Sequence, residues 1–330
     1  MKLTVPDPRA LRRRARRIAR WTGSVAYRSI VVPLLELDET DHALALACRL
    51  AARRGARIVL VAPLIVDREL PLDAHFDAER AALEDRLAEA ASVVSSSGIS
   101  LRREIVRTRA GRVGDDIARV AAEHRAELLV VGAPVKSRRG FRRPFPEELL
   151  PLLRATPCRV LIATGPFAGS GASGPEAGFT KVLVPMKLGP IGDEMVATAL
   201  KLAQAHGASV EALHVIRVPL DENLDAELPE QTEQAAASLA EAAALGVRHG
   251  VNVEGRTVRA RSIGEAILQA AAESGADLIV LGSAPRWRRQ SRFFSPTVDY
   301  VLRRAPAEVL VVAFPQGVLE DEGGATLRRC

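Results

Sequence analysis

The chain of 330 residues is 48% hydrophobic, 26% charged and only 4% aromatic, which leaves room for two domains of ordinary size and describes a globular protein. Its net charge of +6 sits in residues 1 to 21, where Lys2, Arg9, Arg12, Arg13, Arg14, Arg16, Arg17 and Arg20 face only Asp7. The rest of the chain sums to about −1, so the basic balance gives no support for a nucleic-acid-binding body.

Three cysteines, Cys48, Cys158 and Cys330, are too few and too scattered for a disulfide framework. Cys48 and Cys158 read as small buried hydrophobes, and no Cys/His cluster suggests a metal. No apolar run approaches the ~18 residues of a membrane span. With no apolar signal core either, a cytoplasmic location is expected, with membrane association left open.

In chain order, residues 9–21 form an arginine-rich amphipathic helix candidate, with Leu11, Ala15, Ile18 and Trp21 or Thr22 at helical spacing. Such a segment lies on anionic lipid or an acidic partner, or stays a solvated leader. The continuous apolar run Ser29–Leu35 predicts a central parallel strand. A helix follows over His42–Gly55, a strand over Arg57–Leu64 and a long helix over Phe76–Val94. Leu101–Thr108 alternates in the manner of an edge strand. Gly114–His124 predicts a helix leading into the apolar run that ends at Gly132. The alternation of strands and helices predicts a parallel sheet covered on both faces.

The Gly/Ala/Ser/Pro-rich stretch 165–178 reads as a flexible linker, and the pattern then repeats. Strands are predicted at Lys181–Lys187, Val210–Ile216 and Val251–Ala260, with helices at Ala197–Ala208 and Gln231–Gly250. Gly264–Gly282 matches Gly114–Gly132 at nine of nineteen positions, which marks a duplication. Each half ends in the same way: a β-run into glycine (Gly132, Gly282), a basic loop, a short helix and a last strand, over Ala126–Ala163 and Ala276–Ala313. The expected divisions are a basic extension 1–24, domains 25–164 and 179–316 about the linker 165–178, and a disordered tail 317–330.

These repeated endings, LLRATPCRVLIA (Leu152–Ala163) and VLRRAPAEVLVVA (Val301–Ala313), resemble the universal stress protein family. The second half is also similar to stress-protein domains fused to amino-acid permeases. The resemblance implies two tandem doubly wound, adenine-nucleotide-hydrolase-like α/β domains. Each has a five-stranded parallel sheet of order 3-2-1-4-5 and a ligand crevice at the carboxyl ends of strands 1 and 4. It also implies that last strands pair antiparallel, so an internal pseudo-dimer of the two halves is expected. Their apolar edges point the same way.

In members of that family that bind ATP, an aspartate ends strand 1 and a loop G-x2-G-x9-G-[S/T] holds ribose and phosphates. Here the aspartate position is Leu35 in one half and Lys187 in the other, and the later motif positions read Val135, Pro146 and Glu147, or Pro285, Ser295 and Pro296. Proline gives no N–H to a phosphate, and Glu147 repels one. Basic residues crowd both loops: Lys136, Arg138, Arg139, Arg142 and Arg143, then Arg286, Arg288, Arg289 and Arg292. They bind an anion or merely solvate a loop.

The expected ligand set lies in the second half: Pro185, Lys187, His214, Gly282, Ser283, Arg286, Ser295 and Thr297. The ligand is an anionic small molecule, with ATP, AMP or another nucleotide as the cofactor class. No catalytic motif is present. The resulting expectation is a non-catalytic stress-response or regulatory protein. The alternatives are an ATP-binding protein with slow hydrolysis, or an adaptor docking through residues 9–21 to a membrane transporter or anionic lipid.

Overall fold

The computed structural model describes residues 27–35, 40–51, 55–95, 99–133, 151–152, 158–164, 179–186, 190–283 and 294–313. The arginine-rich segment, both basic loops, the linker and the C-terminal tail lie outside them, as do Lys187 and Arg286.

The N-terminal half runs β1 (Ser29–Pro33), α1 (Thr40–Leu50), β2 (Arg57–Val66), α2 (Asp77–Ser95), β3 (Ser100–Arg109), α3 (Val113–Glu123), β4 (Leu128–Ala133) and β5 (Arg159–Thr164). The C-terminal half runs β6 (Lys181–Pro185), α4 (Pro190–His206), β7 (Ser209–Arg217), α5 (Pro229–His249), β8 (Val253–Ala260), α6 (Ile263–Ser274), β9 (Leu278–Ser283), α7 (Pro296–Arg304) and β10 (Glu308–Ala313). The ten strands form one sheet in the order β3-β2-β1-β4-β5-β10-β9-β6-β7-β8. Each half is therefore parallel with the expected order 3-2-1-4-5.

Apolar runs make the central strands because both faces are covered. Every residue of β1 is buried. Ile30 and Val32 face a core that contains residues of α1, α2, α4 and α5, and Val31 faces a second core with residues of α3, α6 and α7. The outer strands β3 and β8 carry charge instead, with exposed Arg102 and Arg103 on one and Glu254 on the other, which protects an open edge from pairing with another chain.

β5 and β10 pair antiparallel, with Leu310 opposite Ala163 and Val311 opposite Ile162. Both cores continue across this seam, Leu161 and Leu310 on one face and Ile162 and Val311 on the other. Tyr27 adds a second link between the halves. Lys201 on α4 holds its Nζ 4.7 Å from the Tyr27 ring centroid, while Arg159 Nη1 donates to the Tyr27 hydroxyl at 3.2 Å. The antiparallel seam brings Thr164 and Phe179 to the same rim of the sheet, three strand positions or about 14 Å apart, so the linker has no need to cross the molecule.

Several boundaries differ from the sequence reading. α1 starts at Thr40 and stops at Leu50, because the chain at Ala51 turns to bridge Tyr27. α4 starts at Pro190, well before Ala197. Gly-Pro-x-Gly looks like a breaker in sequence, but proline at the first helical turn loses no hydrogen bond. β2 extends two residues beyond Leu64 to Val66 because β3 pairs along its whole length.

Candidate functional site

The two central strands of each half part company early. β1 and β4 share only the pairs Ile30–Leu128 and Val31–Leu129, and β6 and β9 only Val182–Leu278 and Leu183–Ile279. Beyond them each strand bonds to its outer neighbour instead: the Leu34 N–H reaches the Val61 carbonyl at 2.7 Å and the Met186 N–H the Leu213 carbonyl at 2.6 Å. A crevice opens between the carboxyl ends at the point where strand order reverses, the place where open α/β sheets bind ligands.

In the C-terminal half two helices begin at that rim on opposite faces, α4 at Pro190 and α7 at Pro296. Their amino ends carry the positive end of the helix dipole, which favours an anion. Ser295 caps α7, its Oγ accepting the Val298 N–H at 3.3 Å. The cap leaves the hydroxyl hydrogen available to donate. Thr297 is half-buried in the first turn of the same helix. Ser283, 4% exposed, ends β9 opposite Ala313. Strand alternation places Ser283 and Pro185 on the face that α6 and α7 cover, because their neighbours two residues back, Leu281 and Leu183, lie in that core. Gly282 is half-buried between them and pairs with Val312.

His214 belongs to the other face. Its Nδ1 lies 2.9 Å from the Ser238 Oγ on α5, and that hydroxyl donates its own hydrogen to the Ala235 carbonyl at 2.9 Å. Ser238 can then only accept from the ring, so Nδ1 carries the hydrogen and Nε2 is the bare acceptor. Burial pushes the imidazole below its ordinary pKa, which keeps it neutral. Pro185, Ser283, Ser295 and Thr297 thus belong to the side of the sheet that α6 and α7 cover, and His214 is anchored to α5 on the other. Lys187 and Arg286 lie outside the described residues.

In the N-terminal half the aspartate position is filled. Leu35 is half-buried against the second core, and its carbonyl accepts from Arg86 Nη2 on α2 at 3.1 Å. Gly132 is buried where Gly282 is half-exposed.

The sequence reading missed the arginines that tie loops to the outer strands. Arg107 Nη1 donates to the Leu72 and Ala74 carbonyls, each at 2.7 Å, and Arg109 reaches the Asp67 carbonyl. In the other half Arg259 Nη1 donates to the Ala226 carbonyl at 2.7 Å and Arg261 Nη2 to the Glu222 carbonyl at 2.5 Å. The signal was present as Arg-x-Arg at the end of both third strands. Among the described residues no group of three or more His, Cys, Asp or Glu side chains could hold a metal, and no helix is long and apolar enough to cross a membrane.

Comparison with known proteins agrees with the duplication. The model of the universal stress protein family matches residues 26–164 and again 178–313. Universal stress protein Rv2319c of Mycobacterium tuberculosis and Mb2346c of Mycobacterium bovis are each 28% identical over 137 residues. That match covers 39% of this chain and 47% of each relative, so the chain spans about half the length of the curated relatives it matches. Among solved structures, a universal stress protein from Archaeoglobus fulgidus superposes with a TM-score of 0.62 at 16% identity, covering 88% of this chain and 99% of its own. A putative universal stress protein from Pseudomonas aeruginosa reaches 0.55 at 18% identity over 87% and 93%. The chain belongs to the universal stress protein family, as a tandem of two such domains.

Proposed function

We propose that this protein is a non-catalytic regulatory member of its family, working in the cytoplasm, with domains 25–164 and 179–316. Its C-terminal domain takes an anionic ligand, a nucleotide first among them. The observation that carries the reading is the crevice between β6 and β9, with the amino ends of α4 and α7 on its two sides and the hydroxyls of Ser283 and Ser295 at its rim. Gly282, Pro185 and Thr297 line the same opening. Lys187 follows β6 by two residues and Arg286 follows β9 by three, and we assign both to the ligand set. His214 offers an acceptor, which suits an amino or ribose hydroxyl group and not a phosphate. No carboxylate is assigned as a hydrolytic base, so binding is expected without turnover. The N-terminal domain plays a scaffold role, because the Leu35 side chain offers no hydrogen-bonding atom and packs against the core.

The test is a thermal-shift titration of the full chain with ATP, AMP, cyclic dinucleotides and inorganic phosphate, since a ligand of the folded state raises the melting temperature by mass action. The expected result is stabilisation by at least one nucleotide. Lys187→Ala weakens that binding by about 1–3 kcal/mol, as befits a charge-assisted contact, and Leu35→Ala does not. No shift with any anion, or equal affinity in both variants, overturns the reading.

A further inference from the structure

The arginine-rich segment and one exposed loop of the same chain match in apolarity and charge. Pro219–Leu228 joins β7 to α5 and holds Leu220 87% and Leu224 51% exposed. These side chains are not loose ends of a floppy loop. Arg259 and Arg261 grip the Ala226 and Glu222 carbonyls from below. Two internal turns, Glu222 N–H to Pro219 O and Ala226 N–H to Asn223 O, fix the backbone. Two leucines held rigidly in water cost free energy that a covering apolar surface recovers.

Charge states what kind of surface. From Pro219 to Glu233 the chain carries Asp221, Glu222, Asp225, Glu227, Glu230 and Glu233 and no basic residue. Among the described residues none of the six takes part in an ion pair. Residues 9–20 carry seven arginines and no acid, with Leu11 and Ile18 at helical spacing. The loop's counterpart in the N-terminal half, Asp67–Phe76, mixes Asp67, Glu69 and Asp73 with Arg68 and His75, and lacks this polarity.

Topology decides which loop the arm can reach. The antiparallel seam makes the strands of the two halves run in opposite directions. The amino end of β1, where the arm joins at Tyr27, therefore shares a rim with the carboxyl ends of β9, β6 and β7. Loop 67–76 stands on the opposite rim. β1 and β7 are six strand positions apart, about 29 Å at a strand spacing of ~4.8 Å. A helix over residues 9–21 spans about 20 Å and residues 22–26 extended add about 17 Å, so the arm reaches.

We propose that residues 9–21 dock in cis on the loop Pro219–Leu228, with Leu11 and Ile18 covering Leu220 and Leu224 and the arginines facing the unpaired carboxylates. The docking does not depend on what the crevice between β6 and β9 binds.

The test uses the full chain at low ionic strength, with tryptic cleavage after Arg12 to Arg20 followed by mass spectrometry. Docked arginines are cut slowly. Leu220→Ser with Leu224→Ser, and separately Asp221→Lys with Asp225→Lys, each speed cleavage about tenfold, because cleavage tracks the undocked population. Adding Arg13→Glu and Arg17→Glu to the lysine variant restores protection at the remaining arginines. All four loop positions are exposed, so each variant keeps the parent melting temperature. Three results overturn the proposal. The first is cleavage as fast as in a synthetic peptide of residues 1–26, or unchanged by the loop variants. The second is protection that grows with protein concentration, which means docking on a second copy. The third is protection only with phosphatidylglycerol vesicles, which means a membrane surface.

Discussion

A Cβ placed on Gly264 would stand 2.6 Å from Cδ1 of Tyr300, so the first turn of α6 lies directly against the α7 ring. The N-terminal half repeats the arrangement, with a Cβ on Gly114 falling 2.4 Å from the Leu152 backbone nitrogen. These are the paired glycines that open the repeated stretch of sequence. Gly264→Ala is expected to cost about 1–3 kcal/mol by overpacking, and Gly114→Ala at least as much, since backbone yields less readily than a ring. Thermal melts of the two variants check this. Tyr300→Ala should relieve most of the Gly264→Ala penalty and none of the Gly114→Ala penalty.

The seam between β5 and β10 is as buried as the interior of either half, with Ile162 and Val311 both fully buried. Protease cleavage within 165–178 should therefore leave two fragments that elute together in gel filtration. Ile162→Asp should unfold the chain, because an unpaired carboxylate there has no route to water. Separate elution of the native fragments would contradict a shared core.

His214 supplies a pH signature. Its folded pKa lies below its ordinary value because burial disfavours the charged ring. The unfolded chain thus binds more protons in the window between the folded value and ~6.5, and stability rises with pH through it. The contribution is in place above pH ~6.5 and is lost as the pH falls towards the folded value. His214→Gln should flatten that part of the melting-temperature profile. Imidazole resonances in the parent protein should place the His214 midpoint below that of a free histidine.

Glu211 is 4% exposed on β7, with Lys181 Nζ at 3.3 Å and Arg256 Nη1 at 3.7 Å. The matching positions of the N-terminal half are Ser29 for Lys181 and Val59 for Glu211, so the same site is built once with charge and once without. Glu211→Ala alone should cost about 1–3 kcal/mol, since Lys181 and Arg256 lose this buried partner but keep Glu254 and Glu273. The double change Lys181→Ser with Glu211→Val copies the other half and should cost less than the single one, a coupling readable in a denaturant double-mutant cycle.

Much of this molecule was legible in sequence. Unbroken apolar runs such as Ile30–Val32 and Leu278–Leu281 mark strands covered on both faces, because such runs have no polar side to turn to water. The duplication fixed the pairing of elements between halves, and the apolar Val309–Val312 announced an edge that needed a partner. Gly250 and Gly275 ended helices in the left-handed conformation that glycine adopts at little cost.

Other features depend on atoms far apart in the chain. Nothing in the neighbourhood of His214 names Ser238 as the group that sets its tautomer, and no local pattern tells that Leu35 packs against the second core. Arg-x-Arg at a strand end is an ordinary charged edge until the loop carbonyls that it grips are in place. Composition gave the arm its charge and the loop its acidity. That the amino end of β1 and this loop share a rim follows only from the antiparallel seam, since reversing one half relative to the other decides which strand ends face the same way.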